Sequence, residues 1–228
     1  MCGRVVLTAT PEELEALFGY LDGEHFPPRY NIAPTQPIAV VRMVSGARRF
    51  ALVRWGLIPS WVKDPKSFTL IINARAEGIQ DKPSFRNALR YRRCLVPASG
   101  FYEWRKVPGS NSGRTRQPFW FTPRDGRPIA FAGLWETWAD RATGGEIDSG
   151  VIVTTSANAC VAPVHDRMPV VIGAGDFEQW LAGEPEEAAA LLKPAPDDLL
   201  QAVPVSNRVN AVANDDPGLL EPVEPTLF

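Results

Sequence analysis

Cysteine and histidine are scarce in this chain, which has three cysteines and two histidines among 228 residues. The cysteines, Cys2, Cys94 and Cys160, are too few and too widely spaced for a disulfide framework or a Cys-x-x-Cys metal site. The two histidines are also isolated, so no cluster of metal ligands is indicated. We therefore predict no metal and no other cofactor, and the small number of cysteines fits a reducing compartment.

Long apolar runs are absent as well. No stretch approaches the roughly 20 residues that a membrane-spanning helix requires. The first ten residues, MCGRVVLTAT, lack the apolar core and the cleavage site of a signal peptide. Hydrophobic residues nevertheless make up 45% of the chain, which is enough for a substantial core. These features predict a globular cytoplasmic protein with no membrane partner.

Charge is distributed unevenly along the chain. Residues 1–168 contain 22 of the 24 Lys and Arg residues and 15 of the 26 acidic residues, a net charge of +7, whereas the last 60 residues carry −9. Nineteen of the basic residues are Arg, whose guanidinium binds phosphate bidentately and stacks on bases. One interpretation is an anionic partner for the larger part of the chain, and the other is a compositional bias toward Arg with an acidic tail.

Short apolar segments bounded by Gly, Pro, Asn or Asp recur along the middle of the chain. Their spacing favours antiparallel β structure over alternating strands and helices. Ser45-Gly46 separates two of these segments, Ile38–Met43 and Phe50–Leu57, and predicts a hairpin. Further strands are predicted over Leu70–Ile72, Arg93–Val96, Phe101–Val107, Phe119–Thr122, Ile129–Trp135 and Ile147–Thr155.

Helical patterns are fewer. The clearest has Thr10 as N-cap, Pro11 at the first helical position and Glu13 three residues after the cap, and it extends to about Tyr20. Others are predicted over Ser84–Tyr91, Asp176–Leu181 and Pro185–Leu192. We predict an α+β fold, a single domain over residues 1–228 with a mainly antiparallel, barrel-like β core and a few flanking helices. Residues 193–228 form an acidic, proline-rich C-terminal segment.

Cys2 offers unusual chemistry, because a small residue after Met1 permits removal of the initiator methionine. A free α-amine then stands beside the thiol of Cys2. Such an aminothiol condenses with an aldehyde: the amine forms a Schiff base and the thiol closes a thiazolidine ring. Since the unperturbed pKa values are about 7.7–8.0 for the amine and about 8.5 for the thiol, both nucleophilic forms exist near neutrality. Alternatively, Cys2 is a small apolar residue at the start of a strand, or the nucleophile of an N-terminal hydrolase.

Two ionisable residues are candidates for proton transfer. His165, in VHDRMPV, has charged neighbours, and a histidine side chain can donate or accept a proton near pH 7. Glu103, in GFYEWRK, shares a strand face with Phe101, and burial of that face raises the pKa of the carboxyl, as a general acid requires. The alternatives are a hydrogen-bonded histidine in a turn and an exposed glutamate paired with Arg105.

Polar and aromatic side chains also suit nucleic acid. Asn73 and Arg75 share a strand face in INARAE, where they place an amide beside a guanidinium. Tryptophans are interleaved with arginines around WGLIPSW and FYEWR, as in proteins that stack unpaired bases on aromatic rings. The alternatives are a polar pair at a sheet edge and tryptophans in the core.

Nine motifs occur in order between Cys2 and the end of the chain: MCGR, RYNIAPTQ, WGLIPSW, INARAE, KPSFR, RCLVPASGFYEW, FAGLWE, VHDRMPV and VSNRVN. In this set the chain resembles the SOS response-associated peptidase (SRAP) family. The resemblance implies a DNA-repair protein, a covalent sensor of abasic sites in single-stranded DNA, in which Cys2 forms a thiazolidine with the ring-opened sugar. It implies lyase-like crosslinking activity and a cytoplasmic protein that joins the nucleoid when bound to DNA.

The same resemblance assigns roles to residues of the motifs. Cys2 is the nucleophile, Asn73 orients its α-amine, Glu103 shuttles protons and His165 assists opening of the sugar ring. The implied DNA contacts are Arg4, Arg75 and Arg167 as phosphate clamps, with Pro34, Trp61 and Trp104 beside unpaired bases. Two alternatives stay open: a cysteine peptidase or autoprotease that uses the same four residues, and a module that binds damaged single-stranded DNA without a covalent bond.

Overall fold

Two β-sheets and a few short helices form the part of the chain that the computed structural model describes, residues 2–20, 26–106 and 116–224. Its strands are β1 (Val5–Leu7), β2 (Arg29–Ile32), β3 (Pro37–Val44), β4 (Ala47–Trp55), β5 (Asn73–Arg75), β6 (Arg93–Ala98), β7 (Gly100–Lys106), β8 (Arg116–Pro123), β9 (Ile129–Ala139), β10 (Glu146–Ser156), β11 (Arg167–Pro169), β12 (Val171–Ile172) and β13 (Leu200–Pro204). Its α-helices are α1 (Pro11–Phe18), α2 (Arg86–Tyr91), α3 (Phe177–Ala182) and α4 (Pro185–Ala190), and 3₁₀ helices span Ala174–Asp176, Asn207–Asn210 and Pro217–Leu220.

The larger sheet closes into a five-stranded barrel. Its strands pair in the order β10, β4, β3, β6 and β9, and β9 pairs back to β10 over seven residue pairs. Each of these pairings is antiparallel except that of β10 with β4. β5 and β11 are added to β10, in parallel and antiparallel respectively, and β12 is added to β9. The predicted α+β fold with a mainly antiparallel, barrel-like core is therefore confirmed.

The smaller sheet has the strand order β13-β8-β7-β1-β2, and its pairings are antiparallel. Its edge strand β13 comes from the acidic, proline-rich C-terminal segment, so that segment is built into the sheet. Apolar side chains of both sheets meet in one core cluster, which includes Val5 and Phe101 of the smaller sheet with Val53 and Leu134 of the barrel. The shared core brings β1 and β7 close to the barrel.

Local sequence signals account for several elements. Thr10 and Glu13 form a capping box at the start of α1, as predicted, and Gly19 ends the helix in the left-handed conformation with φ of 61°. The helix thus stops at Phe18, before the predicted end at Tyr20. The predicted hairpin of β3 and β4 is also confirmed, and its turn has positive φ at both Ser45 and Gly46.

The strand predicted over Leu70–Ile72 is wrong by three residues. The strand there is β5, Asn73–Arg75, because these residues pair in parallel with Ile152–Thr154 of β10. Ile71 makes an isolated bridge to Leu57 instead. Strand β2 was not predicted from the sequence. It lies in the proline-rich stretch of residues 26–37, where it pairs with β1. Among the described residues no helix is both long and apolar enough to cross a membrane.

Candidate active site

Cys2 lies three residues before β1 and is completely buried. Burial raises the pKa of its thiol well above the ordinary value, and the nearby carboxylate of Glu103 raises it further. A hydrogen bond from the backbone N–H of Arg4 has the opposite, smaller effect. The thiol is therefore protonated at neutral pH, and a partner must take its proton before the sulfur forms a bond.

Asn73 holds the backbone of Cys2 through its side chain. It is the first residue of β5, and its Nδ2 donates a 2.8 Å hydrogen bond to the carbonyl oxygen of Cys2. Its Oδ1 is buried and has no hydrogen-bond partner among the described residues. Because a buried carbonyl oxygen without a partner is costly, this atom is prepared to accept a hydrogen bond from a further donor near Cys2.

Glu103 lies in the middle of β7 with 3% of its surface exposed. Phe101 packs on the same face of the strand, where its ring stacks on Phe121 at 5.1 Å between centroids. Burial raises the pKa of Glu103, and the nearby His165 has a lowering effect. The condition set by the sequence, a buried face around Phe101, is met, so this carboxyl retains its proton to higher pH than an exposed glutamate.

His165 lies two residues before β11, and its imidazole ring is near the carboxyl of Glu103. Its Nε2 is 3.9 Å from Oε2 of Glu103. Its Nδ1 accepts a 2.9 Å hydrogen bond from the backbone N–H of Arg167, which assigns the proton of the neutral ring to Nε2. The carboxylate of Asp166 lies 3.0 Å from the same Nδ1. The imidazole thus directs an N–H toward Glu103.

The fold brings these four residues together from four separate segments. Cys2 precedes β1, Glu103 is on β7, Asn73 is on β5 and His165 precedes β11. Asn73 is hydrogen-bonded to Cys2, the carboxyl of Glu103 is near enough to raise the pKa of the Cys2 thiol, and His165 Nε2 lies 3.9 Å from Glu103. Such a set can hold an amine and move protons during addition to a carbonyl group. The role of each residue stays a prediction.

The three arginines predicted to bind phosphate have different surroundings. Arg75 is exposed at the end of β5. Arg167 makes a two-pronged ion pair with Glu77, with N···O distances of 2.7 and 2.8 Å, and its Nη2 also donates to the carbonyl oxygen of Thr154. Arg4 donates to Asn31 and to the C-terminal segment. Arg75 is the most accessible of the three predicted phosphate contacts.

The predicted base contacts also differ in exposure. Trp61 is 58% exposed, and its ring meets Phe68 edge-on at 5.7 Å. Trp61 lies in the loop between β4 and β5. The indole of the buried Trp138 donates a 2.7 Å hydrogen bond to the carbonyl oxygen of the buried Val62, and this bond supports the loop. Pro34 is half-buried in the turn between β2 and β3.

Trp104 is half-buried on β7, and it lies on the opposite face of the strand from Glu103. Its ring belongs with a second cluster of buried residues around Val6 and Tyr102, and its indole N–H is bound by Asn210. The structure therefore does not bring Trp104 into the cluster around Cys2. Its contact with DNA stays a prediction.

Sequence reasoning missed several residues that support the site. Asn31 is completely buried and joins Arg4 to the C-terminal segment, while Glu77 binds Arg167. Asp215 accepts hydrogen bonds from the backbone N–H groups of Tyr30 and Asn31. Asn31 and Glu77 stand in RYNIAPTQ and INARAE, so the motifs contained a signal, but their partners are distant in sequence.

Comparisons with known proteins show which proteins this chain is similar to. The family described as SOS response associated peptidase (SRAP) has a profile that matches residues 1–212. Abasic site processing protein YoqW from Bacillus subtilis (strain 168) is 36% identical over 227 residues, which cover 97% of this chain and 99% of that protein. Abasic site processing protein YedK from Escherichia coli (strain K12) is 30% identical over 234 residues, with coverage of 98% and 100%.

A solved structure is also similar. The crystal structure of a protein from Bacteroides thetaiotaomicron superimposes with a TM-score of 0.85 at 26% sequence identity. The match covers 98% of this chain and 100% of that one. Both the sequence and the fold are therefore shared with relatives over nearly their whole length.

Proposed function

The chain belongs to the SOS response-associated peptidase family, and on this basis we propose that it captures abasic sites in single-stranded DNA through a covalent bond to Cys2. Relatives that match almost the whole chain are named abasic site processing proteins, which supports the substrate class. The proposed activity is DNA–protein crosslinking of a lyase-like kind during DNA repair in the SOS response. We place the protein in the cytoplasm, on the nucleoid when it is bound to DNA.

The observation that carries the proposal is the arrangement of Asn73 around Cys2. Its Nδ2 holds the carbonyl oxygen of Cys2, and its buried Oδ1 is left without a partner among the described residues. We propose that Met1 is removed and that the new α-amine of Cys2 donates to this oxygen. The contact of Asn73 with the carbonyl oxygen of Cys2 was not predicted from the sequence, which addressed the amine alone. Met1 lies outside the described residues.

The reaction requires no oxidant or reductant. The cyclic sugar at an abasic site opens when its hydroxyl loses a proton and the ring oxygen gains one, which leaves an aldehyde and a hydroxyl group. The α-amine of Cys2 adds to the aldehyde carbon, and loss of one water gives a Schiff base. The Cys2 sulfur then adds to the same carbon while its proton passes to the nitrogen. The product is a thiazolidine ring plus one water.

Glu103 and His165 supply the proton transfers. Because burial raises the pKa of Glu103, its carboxyl can protonate the departing hydroxyl when the Schiff base forms, and the resulting carboxylate can take the thiol proton of Cys2. The Nε2–H of His165 faces the same carboxyl and is suited to protonate the sugar ring oxygen. Return of these protons makes the bond reversible.

A cysteine peptidase is not favoured by these surroundings. A nucleophilic cysteine of that class works as a thiolate and has a lowered pKa. Burial and Glu103 raise the pKa of Cys2 instead, and the Nε2 of His165 lies 3.9 Å from Glu103. A direct attack on a peptide bond requires a thiolate at the start. Addition to a Schiff base requires the thiol to lose its proton only after the amine has reacted, and this order suits the Cys2 thiol better.

The experiment that tests the proposal compares two oligonucleotides on a denaturing gel. One contains a natural abasic site, and the other contains a tetrahydrofuran analogue that cannot form an aldehyde. The account predicts a shifted band with the natural site alone. It also predicts that Cys2→Ala abolishes the stable band and that Cys160→Ser, a change at a half-buried cysteine, leaves it intact.

Two results would contradict the proposal. A stable band with the tetrahydrofuran oligonucleotide means that an aldehyde is not required. Noncovalent binding without any band means that the protein is a binding module, and Cys2→Ala then binds the abasic oligonucleotide as well as the wild type does.

A further inference from the structure

Arg4, Trp104 and Asn210 form a compact cluster between the smaller sheet and the C-terminal segment, which we call the Asn210 cluster. The indole N–H of Trp104 donates a 2.7 Å hydrogen bond to Oδ1 of Asn210. The guanidinium of Arg4 lies over the Trp104 ring, 5.9 Å from its centroid, and its Nη2 is 3.3 Å from the carbonyl oxygen of Asn210. One residue thus contacts two side chains that are predicted to touch DNA.

The backbone that carries Asn210 is firmly held. It ends the 3₁₀ helix Asn207–Asn210, whose Val209 is completely buried. The side chain of the buried Asn31 donates to the carbonyl oxygens of Val209, Ala211 and Asn214. Because this backbone is anchored on both sides of Asn210, its side chain is presented from a rigid support.

The location of the Asn210 cluster separates it from the chemistry. Asn210 is exposed, Trp104 is half-buried, and both lie on the face of β7 opposite to Glu103. A partly exposed indole suits the stacking of one unpaired base. The orientation of that indole depends on its hydrogen bond to Asn210.

We propose that Asn210 is a positioning residue for single-stranded DNA, which orients the Trp104 ring as a stacking platform through its side chain. The proposal rests on the function proposed above, and it gives the acidic C-terminal segment a part in the DNA site. Asn210 acts on binding and not on the reaction at Cys2. Removal of its side chain therefore weakens DNA binding without slowing the covalent step at saturating DNA.

The test uses Asn210→Ala and a control, Asn87→Ala. Asn87 is an exposed asparagine on α2, whereas Asn207 is unsuitable because its side chain accepts a hydrogen bond from Nδ2 of Asn210. Kd is measured by fluorescence anisotropy with a single-stranded oligonucleotide that carries the tetrahydrofuran analogue. We expect Asn210→Ala to raise Kd about fivefold, as expected for one neutral hydrogen bond, and Asn87→Ala to leave it within twofold.

A double-mutant cycle with Trp104→Phe tests whether the effect passes through the indole. Phenylalanine keeps an aromatic ring but has no N–H for Asn210. If Asn210 orients Trp104, then adding Asn210→Ala to Trp104→Phe changes Kd less than twofold further. The rate constant for crosslinking to a natural abasic site at saturating DNA stays within twofold of the wild type, and Tm is unchanged.

Several results would overturn this inference. These are an unchanged Kd in Asn210→Ala, an equal loss in Asn87→Ala, a full further loss in the Trp104→Phe background, or a fall in the saturating crosslinking rate. If the wild type binds the oligonucleotide but never forms a crosslink, the proposed function fails while the Kd comparison still decides the role of Asn210. If the wild type does not bind single-stranded DNA, both fail.

Discussion

The side-chain amide of Asn73 donates a 2.8 Å hydrogen bond to the carbonyl oxygen of Cys2 and leaves its own buried oxygen without a partner among the described residues. The contact joins a strand added to the barrel with the residue that precedes the smaller sheet. It fixes the backbone of Cys2 and offers an acceptor for an amine on the same residue. The account of the site depends on this pair.

Replacement of Asn73 by alanine is expected to slow crosslinking. The variant loses the hydrogen bond to Cys2 and the acceptor for its amine, and a loss of about 1–2 kcal/mol corresponds to a rate lower by about five- to thirtyfold. The measurement is the first-order rate of crosslink formation at saturating abasic oligonucleotide. Asn87→Ala, at an exposed position on α2, is the control and retains the wild-type rate. An unchanged rate in Asn73→Ala removes Asn73 from the mechanism.

The carboxyl of Glu103 is expected to appear in the pH profile. Because burial raises its pKa, the wild-type crosslinking rate falls at the pH where the proton is lost, and Glu103→Gln removes this falling limb and lowers the maximal rate. Rates are measured between pH 5 and pH 9. Glu136→Gln changes another buried glutamate and keeps the limb. If the rate of Glu103→Gln still falls at high pH, another ionisable group causes the fall.

Glu103 is also expected to affect the stability of the fold, and this effect depends on pH. A raised pKa in the folded state means that the folded protein holds this proton more tightly than the unfolded chain does. The free energy of unfolding from this group is therefore greatest at low pH and falls as the pH rises through the raised pKa. Glu103→Gln should gain Tm relative to the wild type as pH rises, measured by thermal denaturation. A loss of Tm at neutral pH contradicts the burial argument.

Trp61 is expected to contribute to DNA binding through stacking. Its ring is 58% exposed above a supported loop, and stacking of one base on an aromatic ring is worth about 1–3 kcal/mol. Trp61→Ala should raise Kd for single-stranded DNA about fivefold or more, with little change in Tm. Tyr91→Ala, which removes an aromatic ring that is 74% exposed on α2, serves as the control. Equal losses in the two variants indicate a general effect of exposed rings.

Arg75 is expected to bind a phosphate group. It is exposed at the end of β5, two residues from Asn73, whereas Arg4 and Arg167 already contact protein groups. Arg75→Ala should weaken binding and reduce the slope of log K against log salt by about one unit. Titrations of DNA binding between about 50 and 200 mM salt measure this slope. If the slope is the same as that of the exposed control Arg86→Ala and of the wild type, Arg75 makes no phosphate contact.

Short-range signals predicted much of the fold. The capping box of Thr10 and Glu13 and the Ser45-Gly46 turn act within a few residues, so their sequence patterns were sufficient. Strand β5 was misplaced because its bounds are set by parallel pairing with Ile152–Thr154, about 80 residues further along the chain. Local propensity carries no information on such a partner.

The site shows the same limit. Alternation along β7 correctly placed Glu103 on the face of Phe101, and that face is buried. The pairing of Arg167 with Glu77 spans 90 residues, and that of Arg4 with the carbonyl oxygen of Val209 spans 205. Residue types alone did not distinguish an arginine bound to protein from one that is exposed like Arg75.

Intact-protein mass spectrometry of the wild type, before and after incubation with a single-stranded oligonucleotide that contains one abasic site, shows directly whether Cys2 captures the sugar. The account predicts a protein that lacks Met1 and a denaturation-resistant adduct whose mass is that of protein plus DNA minus one water. Cys2→Ala, which keeps an α-amine but has no thiol, should give an adduct only after reduction with borohydride. A protein that retains Met1, or that loses it and stays unmodified, would contradict the claim that Cys2 is an aminothiol nucleophile.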